Sequence, residues 1–122
     1  MKWTAEENYQ RLCREYQKYG TLYIAFDFDN TIQDFKTKEP MLDIIELLVK
    51  LGSKMKLIMF TCGDRIPEKL AFCAEHKIPV TYINENPEVD FGGKLYYNIL
   101  LDDRAGFEEV VNTLTRFVNE HF

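Results

Sequence analysis

From Leu22 to Phe26 the chain carries apolar and aromatic side chains without interruption, and the run stops at Asp27. Such a run predicts a strand buried on both faces. Met55 to Phe60 predicts a second buried strand, stopping at Thr61. Val80–Ile83 and Tyr97–Leu101 predict a third and a fourth, the last stopping at Asp102. Elsewhere the apolar positions recur at the helical period. Tyr9, Leu12, Cys13, Tyr16 and Tyr19 mark one face of a helix from Thr4 to Tyr19, closed by Gly20. Pro40 opens a helix through Leu51, apolar on most sides (Leu42, Ile44, Ile45, Leu47, Leu48, Val49) and closed by Gly52. Pro67 opens another, to about His76, and Pro79 ends the connection. Phe107, Val110, Val111, Leu114, Phe117 and Val118 mark a final helix with Glu108, Glu109, Asn112 and Arg116 outward.

Strands alternating with helices over short loops predict right-handed crossovers and a parallel sheet. The expected fold is therefore α/β, a three-layer Rossmann-like sheet with helices on both faces. It forms a single domain over residues 1–122, in which residues 1–20 are a helix preceding the core. Ligands in such folds gather at the carboxyl ends of the strands. Asp27, Thr61 and Asp102 would meet at that edge.

Composition narrows the reading. The 122 residues, 46% of them hydrophobic, suffice for one core without disulfides. A net charge of −5 excludes a sequence-nonspecific nucleic-acid coat. No apolar stretch approaches the roughly 18 residues of a membrane span, and Met1–Glu7 has no signal-peptide character. The cysteines, Cys13, Cys62 and Cys73, are odd in number and form no C-x-x-C pair, so a reducing cytoplasm is the expected compartment. They make no familiar zinc spacing with His76 or His121.

The chemistry concentrates in a few positions. Asp27 and Asp29 are two residues apart after a buried strand, a spacing that turns both carboxylates into one crevice. Asp102 and Asp103 follow another strand. Carboxylates converging at one edge repel each other unless a cation lies among them, and Mg²⁺, which takes oxygen ligands, is the expected one. Thr61, Cys62 and Gly63 offer a hydroxyl and backbone N–H groups in a loop entering a helix, and Lys94 offers a positive charge for a phosphate. Lys69 and Arg65 are the other cations for that last role. Cys62 is read as a packed thiol beside the site, and Asp102 or Asp103 as a cap for a helix beginning at Ala105.

Asp-Phe-Asp-Asn-Thr at 27–31, Thr61, Lys94 and Leu-Leu-Asp-Asp at 100–103 resemble, in order, the four motifs of the haloacid dehalogenase superfamily. The resemblance spans residues 22–104. It implies phosphoryl transfer through an aspartyl-phosphate, with Asp27 as nucleophile and Asp29 as general acid and then base. It implies that Thr61 and Lys94 hold the phosphoryl oxygens. Asp27, Asp102 with Asp103 beside it, and the backbone carbonyl of Asp29 would hold Mg²⁺. An acid at position 29 favours ester over halide chemistry, because an ester oxygen needs a proton on leaving.

Two other classes compete. A phospho-accepting receiver domain would need its acceptor Asp between the acid pair and the Thr, where the available residue, Asp43, falls inside an apolar helix. A catalytically silent binding module would have no use for a repulsive acid cluster. Phosphotransferase and nucleotidase remain alternatives within the resembled family. Its inserted cap domains have no room here, since Thr31–Met41 allows only a short flap. An open site predicts weak binding of small esters, and a phosphorylated substrate that is large or covered by a second copy of the chain. The acidic charge makes nucleic acid the less favoured substrate.

Overall fold

The computed structural model describes residues 4–85, Pro87 and residues 96–122. Its elements alternate as α1 (Ala5–Tyr19), β1 (Tyr23–Asp27), α2 (Leu42–Gly52), β2 (Lys56–Phe60), α3 (Ile66–Glu75), β3 (Val80–Ile83), β4 (Ile99–Leu101) and α4 (Phe107–His121). The four strands form one sheet in the order β3-β2-β1-β4, every pair parallel. Ala25 pairs with Ile58 on one side and with Leu100 on the other.

The two central strands explain the layering. Ile24, Ala25 and Phe26 in β1 are all fully buried, as are Leu57, Ile58 and Met59 in β2. Successive strand residues point to opposite faces, so both faces of the sheet are covered there. α4 packs against α1, α2 and β4, while α2 lies on β2. Phe72 of α3 meets Phe28 edge-to-face at 5.2 Å between centroids. Leu114 and Phe117 carry α4 into the core.

Local chemistry sets the ends of the elements. Thr4 caps α1 by accepting from Glu7 N at 3.1 Å, and Gly20 ends it at φ +74°. α2 begins at Leu42, later than Pro40, because the Met41 N–H is committed to Ile32 O at 2.9 Å and Pro40 bridges to Gln33. α4 begins at Phe107, because Ala105 N closes a turn on Asp102 O and Gly106 takes a left-handed conformation. β4 is shorter than expected at its start. The Asn98 side chain there accepts from Tyr23 N at 2.6 Å, which places a side chain where a ladder carbonyl would stand.

Two expected core positions are exposed, and one expected outward is half-buried. Tyr19 is 63% exposed and Leu42 64%, each past the end of its helix's packed face. Arg116, expected to point outward, is half-buried with its guanidinium 3.8 Å from the centre of the Tyr9 ring, and it pairs with Glu6 and Glu120. Among the described residues no helix is long and apolar enough to cross a membrane.

Gly52, at the end of α2, lies against Pro79 in the α3–β3 turn. A Cβ there would lie 2.3 Å from Pro79 Cγ and 2.8 Å from Cδ, and a pyrrolidine ring cannot rotate away. Gly52→Ala is expected to cost about 1–3 kcal/mol in urea unfolding, the range for overpacking. An unchanged midpoint would show that α2 shifts freely against Pro79.

Candidate functional site

β1 and β4 are neighbours, yet the chain leaves β1 toward β2 and β3 and only then returns to β4. The strand order reverses between them, which is where open α/β sheets bind ligands. A crevice of about 390 Å³ opens at this point, its wall including Asp27, Asp29, Phe35, Thr61, Asp102 and Asp103. Asp27 is the last residue of β1. Phe28, after it, turns into the core, and Asp29 returns to the crevice, so the two-residue spacing works as the alternation predicts.

Three carboxylates crowd together. One oxygen each from Asp27, Asp102 and Asp103 lie within 4.8 Å of one another. The carboxyl of Asp27 is pushed up to about 6 from its ordinary value. Burial is the largest cause and the negative charge of Asp102 the next, while the Phe28 backbone N–H opposes both. A hydrogen bond and the charge of Asp103 raise it further. Three hard oxygen donors at this separation could hold a small divalent cation. Asp29 is on the same crevice but outside the triad.

The loops around the triad are tied down by side chains. Thr31, fully buried, accepts from Asp103 N at 3.1 Å and donates to Asp103 Oδ1 at 3.5 Å, linking the turn after β1 to the end of β4. Asn30, at φ +61°, accepts from Phe35 N at 2.9 Å and shapes the short flap of residues 31–41. Asn84 Oδ1 accepts from Thr61 N at 2.8 Å. Lys69, 2% exposed, donates to Thr61 Oγ1 at 2.8 Å and to Cys62 O at 3.2 Å. None of these tethers was assigned from the sequence, although Thr31 belonged to the quoted motif and Lys69 was an alternative cation.

Several expectations need correction. Cys62 is exposed at the crevice, not packed, because its loop stands clear of the core. Asp103 joins the triad as fully as Asp102, since β4 ends at Leu101 and both acids lie in the turn beyond it. Neither caps α4: Asp102 Oδ1 accepts from Arg104 N inside that turn, and α4 has no side-chain cap. Gly63 is exposed in the Thr61 loop. Lys94 lies outside the described residues. Asp43 is exposed in the first turn of α2, on no strand end. Larger hollows exist, one of about 660 Å³ between α1 and α4, but its Glu6 and Arg116 already satisfy each other. Volume does not locate the chemistry here.

Comparison with protein-family models, with curated proteins and with solved structures gave no match.

The crowding at Asp27 makes a prediction about stability. Its carboxyl binds a proton more tightly in the folded chain than in the unfolded one. Without a cation, stability should therefore fall as pH rises from about 4 to about 6 and stay reduced above that. Asp27→Asn should relieve this by about 1 kcal/mol at pH 8, after allowing for solvent screening of a half-exposed group, and by nothing at pH 4. Thermal unfolding in chelator at both pH values measures it. A difference independent of pH would refute the electrostatic origin.

Proposed function

We propose that the protein is a Mg²⁺-dependent phosphatase acting through a phosphoaspartate on Asp27, in a fold of the haloacid dehalogenase type. The observation that carries this reading is the Asp27–Asp102–Asp103 triad, within 4.8 Å, on one crevice with Asp29 and Thr61. The resemblance of residues 27–31, 61, 94 and 100–103 to that superfamily's motifs supports it independently of the geometry. So does the reversal of strand order beside β1.

The donor set fits the ion. Asp27, Asp102 and Asp103 would hold Mg²⁺ through carboxylate oxygens, with the Asp29 backbone carbonyl as a further ligand. When bound, Mg²⁺ supplies positive charge that offsets the repulsion at the triad and the charge of a phosphoryl group. Asp27, ionised, then attacks phosphorus in line, forming a P–O bond as the bond to the leaving oxygen breaks. Asp29 gives its proton to that oxygen. Asp29, now a carboxylate, takes a proton from a water that attacks the phosphoaspartate, and the P–O bond to Asp27 breaks. Phosphate leaves, and both acids return to their starting states. Thr61 donates its hydroxyl proton to a phosphoryl oxygen throughout, and Lys94 is the proposed second contact.

The substrate is proposed to be a large phosphorylated molecule, or a smaller one covered by a second copy of the chain. Exposed Phe35, Cys62 and Arg104 at the rim of the crevice support that reading, because a small ester would contact few of them. The three free cysteines support a reducing cytoplasm as the compartment.

Turnover of p-nitrophenyl phosphate should require Mg²⁺, stop on chelation, and fall at least about a thousandfold in Asp27→Asn. Asp29→Asn should fall by about 10²–10⁴ on an alkyl phosphate, which needs a proton on leaving, and should release phosphate slowly from p-nitrophenyl phosphate. Millimolar Mg²⁺ should raise the unfolding temperature at pH 8 and have little effect at pH 4.5, where protons compete for the carboxylates. Activity surviving in Asp27→Asn or in excess chelator would overturn the mechanism.

A further inference from the structure

Lys69 is the one charged side chain buried among the described residues. It lies in α3 with only 2% of its surface exposed, its ammonium 5.8 Å from the centre of the Phe28 ring. A buried charge is costly unless every one of its protons is used. Here all three have a partner: Thr61 Oγ1 at 2.8 Å, Cys62 O at 3.2 Å and Asp64 Oδ1 at 3.4 Å. All three belong to the single loop between β2 and α3. Lys69 borders the hollow behind Phe28 and Phe72 and is not part of the crevice wall, so it reaches the site only through that loop.

The direction of these bonds matters. An ammonium donates and never accepts, so Thr61 Oγ1 is the acceptor in this pair and must aim its own proton elsewhere. The Thr61 N–H is already taken by Asn84. Thr61 lines the crevice, leaving its hydroxyl proton free for an acceptor there. The Cys62 carbonyl faces Lys69, and in a trans peptide the next N–H, that of Gly63, points the opposite way.

We propose that Lys69 is a positioning residue for anion binding: it fixes Thr61 as a hydrogen-bond donor into the carboxylate crevice. The inference rests on the phosphatase reading and adds to it the origin of the donor that meets the phosphoryl group. Hydrogen bonding to the ammonium also polarises the Thr61 hydroxyl, which strengthens it as a donor.

The experiment is calorimetric binding of inorganic phosphate in the presence of Mg²⁺, with hydrolysis of p-nitrophenyl phosphate by the wild type as control. Lys69→Met and Thr61→Val should each weaken phosphate roughly tenfold, the loss of one charge-supported hydrogen bond, and the double variant no further. Lys69→Met should cost the same roughly tenfold in a Thr61→Ser background, where the hydroxyl survives. A merely structural lysine would give its full loss in all three backgrounds, and that result, or unchanged binding in Lys69→Met, overturns the proposal. If Lys69→Met does not fold, the nitrogen resonance of the Lys69 ammonium serves instead. It should move on phosphate addition in the wild type and not in Thr61→Val; a signal that stays still at saturating phosphate overturns the proposal. A wild type that hydrolyses the ester while the variants behave additively refutes only the role of Lys69. A wild type that neither binds phosphate nor hydrolyses the ester refutes the phosphatase reading as well.

Discussion

Everything at the carboxyl edge depends on β1 being a strand without a wet face. Ile24, Ala25 and Phe26 must all leave water, and a strand can satisfy that only with hydrogen-bonded neighbours on both sides and cover above and below. β2 and β4 supply the neighbours, both parallel to β1. Parallel strands end at the same edge, so the residues following β1, β2 and β4 are forced together whatever their chemistry. Asp27, Thr61 and the Asp102–Asp103 pair meet because of that geometry, not through any attraction among themselves.

Three of those residues repel. Burial at the end of the central strand, followed by the charges of Asp102 and Asp103, pushes up the carboxyl of Asp27. A fold concerned only with stability would replace one of these acids by Asn or Ser. Under the proposed function their number and spacing would serve a cation and through it an anion, which would connect the packing of β1 to the proposed chemistry.

A second layer of polar side chains keeps the strand ends in place. Thr31 clips the turn after β1 to Asp103, Asn84 clips the end of β3 to Thr61, and Lys69 gathers Thr61, Cys62 and Asp64 from below. The first two tethers join the ends of different strands, and the third ties the β2–α3 loop to α3. Among the described residues every buried side-chain polar atom has a partner, as expected where loops are held by hydrogen bonds and not by apolar packing.

The sequence by itself determined the order and kind of the elements, because burial leaves a periodic imprint: apolar runs through Tyr23–Phe26 in β1 and Leu57–Phe60 in β2, a 3.6-residue period for α1 and α4. It also exposed Asp27, Asp29, Thr61, Asp102 and Asp103 as candidates, since a polar residue ending an apolar run in a parallel sheet has one place to go. Only the tertiary structure decided how those residues are used. That Asp102 and Asp103 both join Asp27 depends on β4 stopping at Leu101, and Asp103 is held there by Thr31, 72 residues away in the chain. That Lys69 is buried beneath Thr61, while Cys62 stands exposed, depends on how α3 seats against Phe28. Periodicity records which way a residue faces within its own element; it carries no record of which side chain from another element it meets there. Those meetings are set by long-range packing, and they decide which donor, acceptor or charge is left free at the site.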